Sequence, residues 1–524
     1  MTTGYASTRS TALVGIDARV VDIEADAVPG GAELHLVGLP ELSVWPARAR
    51  IRSAIFNSGA AWPEAKVTVS VSPAIPPVYD AAADLALALA TLAASGVVPP
   101  ERIAGRVFLG ELALDGGICP IRGVLPAVRA AVTAGIRTVV VPAGCAPEAA
   151  QVPGAVVIPV TRLGEVIDRL RSGTLDAYRY RPPELPDLAE PPDLSGSPEL
   201  PGTSGLAALP PSPPSAPGVD LADVPGNEAA RRALEVCAAG GHHLFLIGDG
   251  PATMLAERLP GILPPLSVEA AREVAEIYSL AGRSDSAPGA RAPIFSPHHT
   301  STPAAIFGSV AANRPGAVTL AHRGVLHLAD APEFARPTLD GLSRPMDTGE
   351  VRVTGLGRTV RYPARFTLVL DARRCPCPQA QACTCRPVDR RRYLARLALL
   401  LPRVAVRAPV EWENRDGGAG ESSAAVAARV VAARVRAAHR LAETPWRTNT
   451  EVPALELRTS FAAEPEAVEL LRSAVNTGLL TVEGFPRLLR VAWTLADLRG
   501  ANRPDVDDAA GALELWKGAD GEGR

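Results

Sequence analysis

Two short stretches of this chain carry residue types and spacings that could do chemistry. The first is Leu246-Ile247-Gly248-Asp249-Gly250-Pro251-Ala252-Thr253-Met254. The apolar run from His243 to Ile247 predicts a buried strand ending at a glycine, and Met254 to Leu259 predicts the helix that follows. A strand, a glycine turn and a helix are the parts of a phosphate-binding loop. A working loop reads G-x-x-x-x-G-K-[ST]: backbone N–H groups cradle phosphate, the lysine reaches the outer phosphates, and Ser/Thr holds Mg²⁺. Here the turn is shorter, has no lysine, and puts Asp249 where phosphate would come. The chain's two lysines, Lys66 and Lys517, both lie far along the chain from this turn. Gly248, Asp249, Gly250 and Thr253 are what remains of a nucleotide-binding turn.

The second stretch is Cys375-Pro376-Cys377 followed by Cys383-Thr384-Cys385. Four thiols within a dozen residues suit a tetrahedral Zn²⁺ site. The C-x-C pairs are tighter than the usual C-x₂-C, and reduced, unliganded surface cysteines are the alternative. Cys119, Cys145 and Cys237 are scattered in apolar contexts and read as reduced core residues. His298-His299 does not read as a metal pair, because adjacent residues on a strand point to opposite faces. Asp80 and Asp84 fall at i and i+4 on a helix start, where carboxylates favour the helix dipole. The arginines of 386–407, Arg390 to Arg392 among them, could face DNA or form a solvated helix face. Tyr393 is the single aromatic among them, so the nucleic-acid signal is weak.

These residues need a scaffold. Region 7–173 mixes strands, such as Val67 to Val71 and Thr138 to Val141, with helices over Asp84 to Ala94 and Leu125 to Ala134, an α+β or α/β pattern. From Arg181 to Gly218 prolines recur among polar residues, which predicts an extended, disordered linker. From Val219 to about Val410, strands at His243–Ile247, Gly324–Leu328 and Phe366–Leu370 alternate with helices, as in a parallel-sheet domain. Beyond a Gly-rich break at 411–422, four helices are predicted: one up to Leu441, then Glu464–Leu471, Arg487–Leu498 and Val506–Leu515. The domains expected are 1–175, a linker over 176–218, an α/β core over 219–410 and an all-α region over 411–524.

Composition narrows the classes. In 524 residues, 47% are hydrophobic and 4% aromatic, so Ala, Val and Leu must fill the cores. A net charge of −3 gives no global basic field for nucleic acid. No apolar leader is seen, and Leu85 to Val98 is shorter than the roughly 20 residues that span a bilayer. A cytoplasmic protein with no membrane partner is expected.

The landmarks resemble a known family from end to end. LVGLPELSVWPARARIRSAIFNSGAAWP, GELALDGGICPIRGVLPAV, DLADVPGNEAARRALEVCAAGGHHLFLIG, RLPGILPPL, SPHHT, RPGAVTLAHRGVLHL, PEF, the CPCP and CTC pairs, RRYLAR and LLRVAWTLADLRG occur in order. Together they resemble the magnesium-chelatase-like AAA+ proteins known as YifB or ComM. The resemblance implies an α/β multi-domain protein: a Lon-protease-like α+β N-terminal domain, an AAA+ P-loop-type α/β core, a C-terminal all-α lid, bound ATP and Mg²⁺, and a ring. Relatives include motors that remodel DNA and the chelatase subunit that drives Mg²⁺ insertion.

Departures from the family pattern gather at the ATP site. Its phosphate loop GPPGxGKT is shortened at Gly248 to Thr253. Its Walker B ending Asp-Glu appears as Ala329-Asp330, its sensor Asn as Arg373, and its Asp-Arg-Ile-Asp element keeps only Arg403. A Lon-type Ser–Lys pair is absent from 79–84 and from GGICPIRGVLPAV, as in YifB and ComM. Phosphoryl transfer depends on positioning and charge stabilisation by loop, lysine and metal. The expectation is a non-hydrolysing scaffold or regulatory subunit, forming a ring alone or with an intact paralogue. The alternative is an ATP-driven DNA-remodelling motor in which Arg373 or Arg403 supplies the missing charge.

Overall fold

The computed structural model describes residues 4–74, 81–181, 219–287, 289–377, 383–412 and 420–518. Of the expected linker over 176–218, residues 182–218 lie outside the described residues, as do Tyr79 and Asp80, while Leu175–Tyr178 forms a 3-10 turn.

The N-terminal part is built on a seven-stranded mixed sheet. Its strand order is Glu33–Val37, Ala65–Ser72, Asp17–Pro29, Gly4–Val14, Val107–Phe108, Thr138–Pro142, Val156–Val160. A long antiparallel hairpin, Gly4–Val14 with Asp17–Pro29, forms its centre. Along Val21-Asp22-Ile23-Glu24-Ala25-Asp26-Ala27 the apolar residues face inward and the acids outward, the period-2 pattern of a half-buried strand.

The helix Asp84–Ala94 is buried on every side, as a helix apolar all round must be. Fully burying Leu85, Leu87, Leu89 and Leu92 stabilises by about 1.5–3 kcal/mol each. Asp84 stands in the first turn of this helix, the helix-start position expected for it. Its carboxylate is fully buried and accepts from Arg50 Nε at 2.6 Å and Nη2 at 3.2 Å. It is an ion-pair partner first, since a buried charge is tolerated only when paired.

The second sheet has five strands, all parallel, in the order Ile294–Phe295, Val325–Leu328, Thr367–Ala372, Leu244–Gly248, Val406–Val410. The three expected strands share this sheet, but Leu244–Gly248 does not adjoin Val325–Leu328. Thr367–Ala372 lies between them. On its other side Leu244–Gly248 pairs with Val406–Val410, a strand missed because Arg407 and Pro409 interrupt its apolar run. The helices Glu228–Gly240 and Ala252–Ile262 pack on this sheet.

After the sheet come the helices Ser423–Arg440, Pro465–Asn476, Gly484–Arg499 and Val506–Lys517, each within a few residues of its expected place. Their apolar faces join the sheet in one core: Val430, Leu471, Leu488 and Ala509 pack into the same cluster as Leu244 and Val406. Among the described residues, no helix is long and apolar enough to cross a membrane.

Candidate nucleotide-type site and cysteine centre

The strand Leu244–Gly248 ends at the C-terminal edge of the parallel sheet, and only Asp249, Gly250 and Pro251 separate it from the helix Ala252–Ile262. These three residues do not form an open cradle. Gly250 N–H donates to Val410 O at 3.2 Å and Ala252 N–H to Gly250 O at 2.9 Å. The turn lies so close to the next strand's end that a Cβ on Gly248 would meet Val410 O at 1.9 Å. A Cβ on Gly250 would meet Glu411 N at 2.6 Å. Glycine is required at both places for close approach of two backbones, and Gly248 also has φ +146°. Asn227 pins the opposing backbone, giving Nδ2–H to Glu411 O at 3.0 Å and accepting Glu411 N–H at 2.9 Å.

Beside the turn, Asp371 on the strand Thr367–Ala372 is a buried hub. Its Oδ2 accepts His327 Nε2–H at 2.8 Å and Thr253 Oγ1–H at 3.4 Å, and its Oδ1 accepts Asp330 N–H at 2.7 Å. His327 Nδ1 faces Ser296 Oγ at 3.2 Å. Thr253 and Asp330 therefore meet at one carboxylate, so the two halves of the expected site do converge. Asp330 adopts left-handed backbone, φ 48°, and its carboxylate accepts from Arg373 Nε at 3.3 Å. Arg373 Nη2 is 4.0 Å from Glu333. Ala329 contributes no polar side-chain atom.

His327 and Asp371 were missed as site residues. The signal available was a histidine and an acid, each set in an apolar strand. Such groups are rarely buried without a partner.

Arg403 is placed elsewhere, which corrects its assignment to this site. It precedes the strand Val406–Val410 and binds Asp347 bidentately, Nε to Oδ1 at 2.9 Å and Nη2 to Oδ2 at 2.6 Å. That is the opposite edge of the sheet. The arginine stretch 386–407 is likewise dispersed. Arg396 donates to Phe334 O, and Arg407 is buried with its guanidinium 4.3 Å from the centre of the Trp516 ring. His298 and His299 do not point to opposite faces: their ring centroids are 4.1 Å apart. His298 Nδ1 bonds Thr300 and His299 meets Phe334 edge-on, so both are engaged in loop packing.

The four clustered cysteines do come together. Cys375 and Cys377 follow the strand that carries Asp371, and Cys383 and Cys385 precede the helix Pro387–Leu394. The four Sγ atoms lie within 4.8 Å of one another. Thiolates bound at about 2.3 Å to one tetrahedral zinc are separated by about 3.8 Å, so the set fits such an ion. A backbone N–H of Cys385, then the thiol of Cys375, lowers the Cys383 pKa, while hydrogen bonds from Cys375, Cys377 and Cys383 raise that of Cys385. Of the other cysteines, Cys145 and Cys237 are buried and Cys119 partly so; burial pushes the Cys237 thiol up to about 12.

A parallel sheet with a glycine turn leading into a helix at its C-terminal edge, beside a strand ending in an acid, defines an α/β core of the phosphate-loop type. The chain matches the family model "Magnesium chelatase, subunit ChlI" over residues 220–416. It also matches "Subunit ChlI of Mg-chelatase" over 23–144 and "Magnesium chelatase, subunit ChlI C-terminal" over 420–515. It is 42% identical over 519 residues to an uncharacterized protein of Mycobacterium tuberculosis, covering 97% of each chain. It is 34% identical over 499 residues to the uncharacterized protein YifB of Escherichia coli, covering 93% of this chain and 92% of YifB. Competence protein ComM of Haemophilus influenzae is 30% identical over 519 residues, covering 96% of each. The chain belongs to the magnesium-chelatase-like AAA+ family of YifB and ComM.

Proposed function

We infer that this protein is a non-hydrolysing member of its family, a scaffold or regulatory subunit. It assembles as a ring with copies of itself or with an intact paralogue. The observation that carries the reading is the closed turn at Gly248 to Thr253. A lysine-free turn whose N–H groups at Gly250 and Ala252 are given to backbone carbonyls has neither the cradle nor the charge for a triphosphate. Where the metal-holding carboxylate would be there is Ala329, and Asp330 is neutralised by Arg373. The strand-end polar groups are satisfied by one another through Asp371, so no ligand is needed to complete them.

In this reading, residues 1–175 form the Lon-like domain, 176–218 a linker, 219–410 the AAA+ core and 411–524 the lid. The protein works in the cytoplasm. Cys375, Cys377, Cys383 and Cys385 hold a structural zinc that clasps the loop after the Asp371 strand.

Purified full-length protein should hydrolyse Mg·ATP no faster than a buffer control. Turnover at the rate of intact AAA+ ATPases, abolished by Asp330→Asn or Arg373→Ala, would refute the reading. Metal analysis of protein prepared without chelator should find about one zinc per chain, lost in Cys375→Ser. Zinc well below one equivalent in the parent protein would remove the clasp but leave the reading of the turn intact.

A second reading is favoured by the relationship to competence protein ComM: an ATP-binding motor that remodels DNA, with the exposed arginines of 386–392 facing the strand. DNA-stimulated ATP hydrolysis would establish it in place of the first.

A further inference from the structure

The C-terminal edge of the five-stranded sheet brings a serine, a histidine and an acid into line. Ile294 pairs with Val325 and Phe295 with Leu326, so the next residues, Ser296 and His327, stand side by side. His327 pairs with Val369, and Asp371 follows two residues on. Residues two apart on a strand share a face. Ser296, His327 and Asp371 therefore project from one face, at the ends of three neighbouring strands. Along the chain the successive members are 31 and 44 residues apart.

The hydrogen bonds among them are continuous. Asp371 Oδ2 lies 2.8 Å from His327 Nε2, and His327 Nδ1 lies 3.2 Å from Ser296 Oγ. Their direction follows from the groups. A carboxylate only accepts, so Nε2 carries the ring proton and Nδ1 is left to accept from the Ser296 hydroxyl. That is the tautomer in which the imidazole can act as a base toward the serine. The Asp371 carboxylate is held at both oxygens: Oδ1 takes the Asp330 N–H at 2.7 Å, and Oδ2 also takes the Thr253 hydroxyl at 3.4 Å. The His327 side chain is fully buried and that of Asp371 is 9% exposed, whereas Ser296 is exposed. A base fixed by a buried acid, behind a hydroxyl that solvent can reach, is the arrangement that activates a serine nucleophile. The helix Ala252–Ile262 starts at this same edge, with Thr253 against Asp371. The first N–H groups of a helix have no partner within it, and such groups stabilise a developing oxyanion.

We propose that Ser296, His327 and Asp371 form a nucleophilic site that hydrolyses small carboxylic esters. Ser296 Oγ attacks the carbonyl carbon, and its proton passes to His327 Nδ1 as the Oγ–C bond forms. The bond from that carbon to the alcohol oxygen then breaks, and the leaving alcohol takes the proton from Nδ1. Water attacks the acyl-serine, giving a proton to Nδ1. The Oγ–C bond breaks, Oγ takes the proton back, and the carboxylic acid leaves. Asp371 touches no reacting atom and is a positioning residue: it fixes the tautomer and orientation of His327. The site does not depend on how the turn at Gly248 to Thr253 is read.

The test uses the full-length protein with two probes, a fluorophosphonate and p-nitrophenyl acetate. With the first, Ser296 Oγ should form a bond to phosphorus and release fluoride, and peptide mapping should find the adduct on Ser296. Its formation should be roughly 100-fold or more faster than at Ser422 and Ser460, which are exposed serines elsewhere. That comparison is made within the parent protein, so it holds even where a variant of the buried pair fails to fold. With the second probe, Ser296→Ala should lose turnover while its melting temperature stays unchanged. His327→Gln should slow both reactions roughly 100-fold or more. Asp371→Asn should lower kcat by a similar factor and leave KM unchanged, as expected of a residue that positions the base. No adduct on Ser296, an adduct formed no faster than at Ser422, or ester turnover retained in Ser296→Ala would each overturn the proposal.

Discussion

The two edges of the five-stranded sheet handle charge in opposite ways. At the C-terminal edge, Asp371 takes up His327, Thr253 and the Asp330 N–H, while Asp330 takes Arg373. Polar groups there are matched within the protein. At the N-terminal edge, six arginines between Arg323 and Arg490 face two carboxylates, Asp347 and Glu451, across an open cleft. The fold's usual ligand edge is the C-terminal one, because strand ends and helix starts present N–H groups there. In this chain that edge is self-sufficient and the other is not. Charge matching therefore belongs to each edge and not to the fold class.

The largest expected effect breaks the self-sufficient edge. Asp371→Ala leaves the His327 ring N–H and the Asp330 N–H without their acceptor, and should cost roughly 3 kcal/mol of stability. Denaturant midpoints at constant slope would measure it. The double substitution His327→Phe with Asp371→Ala replaces the pair by apolar groups and should recover most of that loss. A double variant no more stable than the single one would mean that the hub holds the turn by more than paired polar groups.

A smaller effect belongs to the other edge. The hydrogen bond from His322, and then that from Arg323, holds Glu273's pKa down to about 2 despite the cost of burial. Its value without those partners is 4.5. The folded pKa is depressed, so the stabilisation is fully present above about pH 4.5 and is lost as pH falls through about 2. The Glu273 side chain is about half exposed, so after screening it contributes about 1 kcal/mol or less. Glu273→Gln should thus lower the melting temperature slightly at pH 7, and the gap to the parent should shrink below pH 4. A gap that widens in acid would show that the pairing has been misassigned.

The smallest effect sharpens the contrast. Asp347→Asn releases Arg403 and removes one of the two carboxylates in the cleft wall. The melting temperature should fall slightly, and the loss should fade in 1 M salt, where the Debye length is about 3 Å. An unchanged melting temperature at low salt would mean that this carboxylate does not offset the cleft's arginines.

Local sequence determined a good deal here. The strand-turn-helix at Gly248 was legible because an apolar run, a glycine and a helical run are adjacent in the chain. The all-round apolar helix Asp84–Ala94 was legible for the same reason, and so were the four C-terminal helices, each with an apolar stripe of its own. The missing lysine was plain from composition. The cysteine spacing indicated a cluster, because four thiols a dozen residues apart have few ways to stay separate.

Pairing across strands was not legible. Thr367–Ala372 lies beside Leu244–Gly248, and only that order brings Asp371, His327 and Thr253, distant in the chain, within hydrogen-bond reach. Asp84 is the helix-start acid that local sequence indicates, but its ion pair with Arg50 comes from across the fold and was not legible. Arg403 looked like a remnant of the nucleotide site, but sits at the opposite end because it precedes its strand rather than follows it. The basic cleft draws its arginines from strand starts, a 3-10 turn and two helices between Arg323 and Arg490, so no window of sequence contains it. Periodicity and turn chemistry act over a few residues and can be read from sequence. Burial, charge matching and strand order depend on which distant residues meet, and only the tertiary structure decides that.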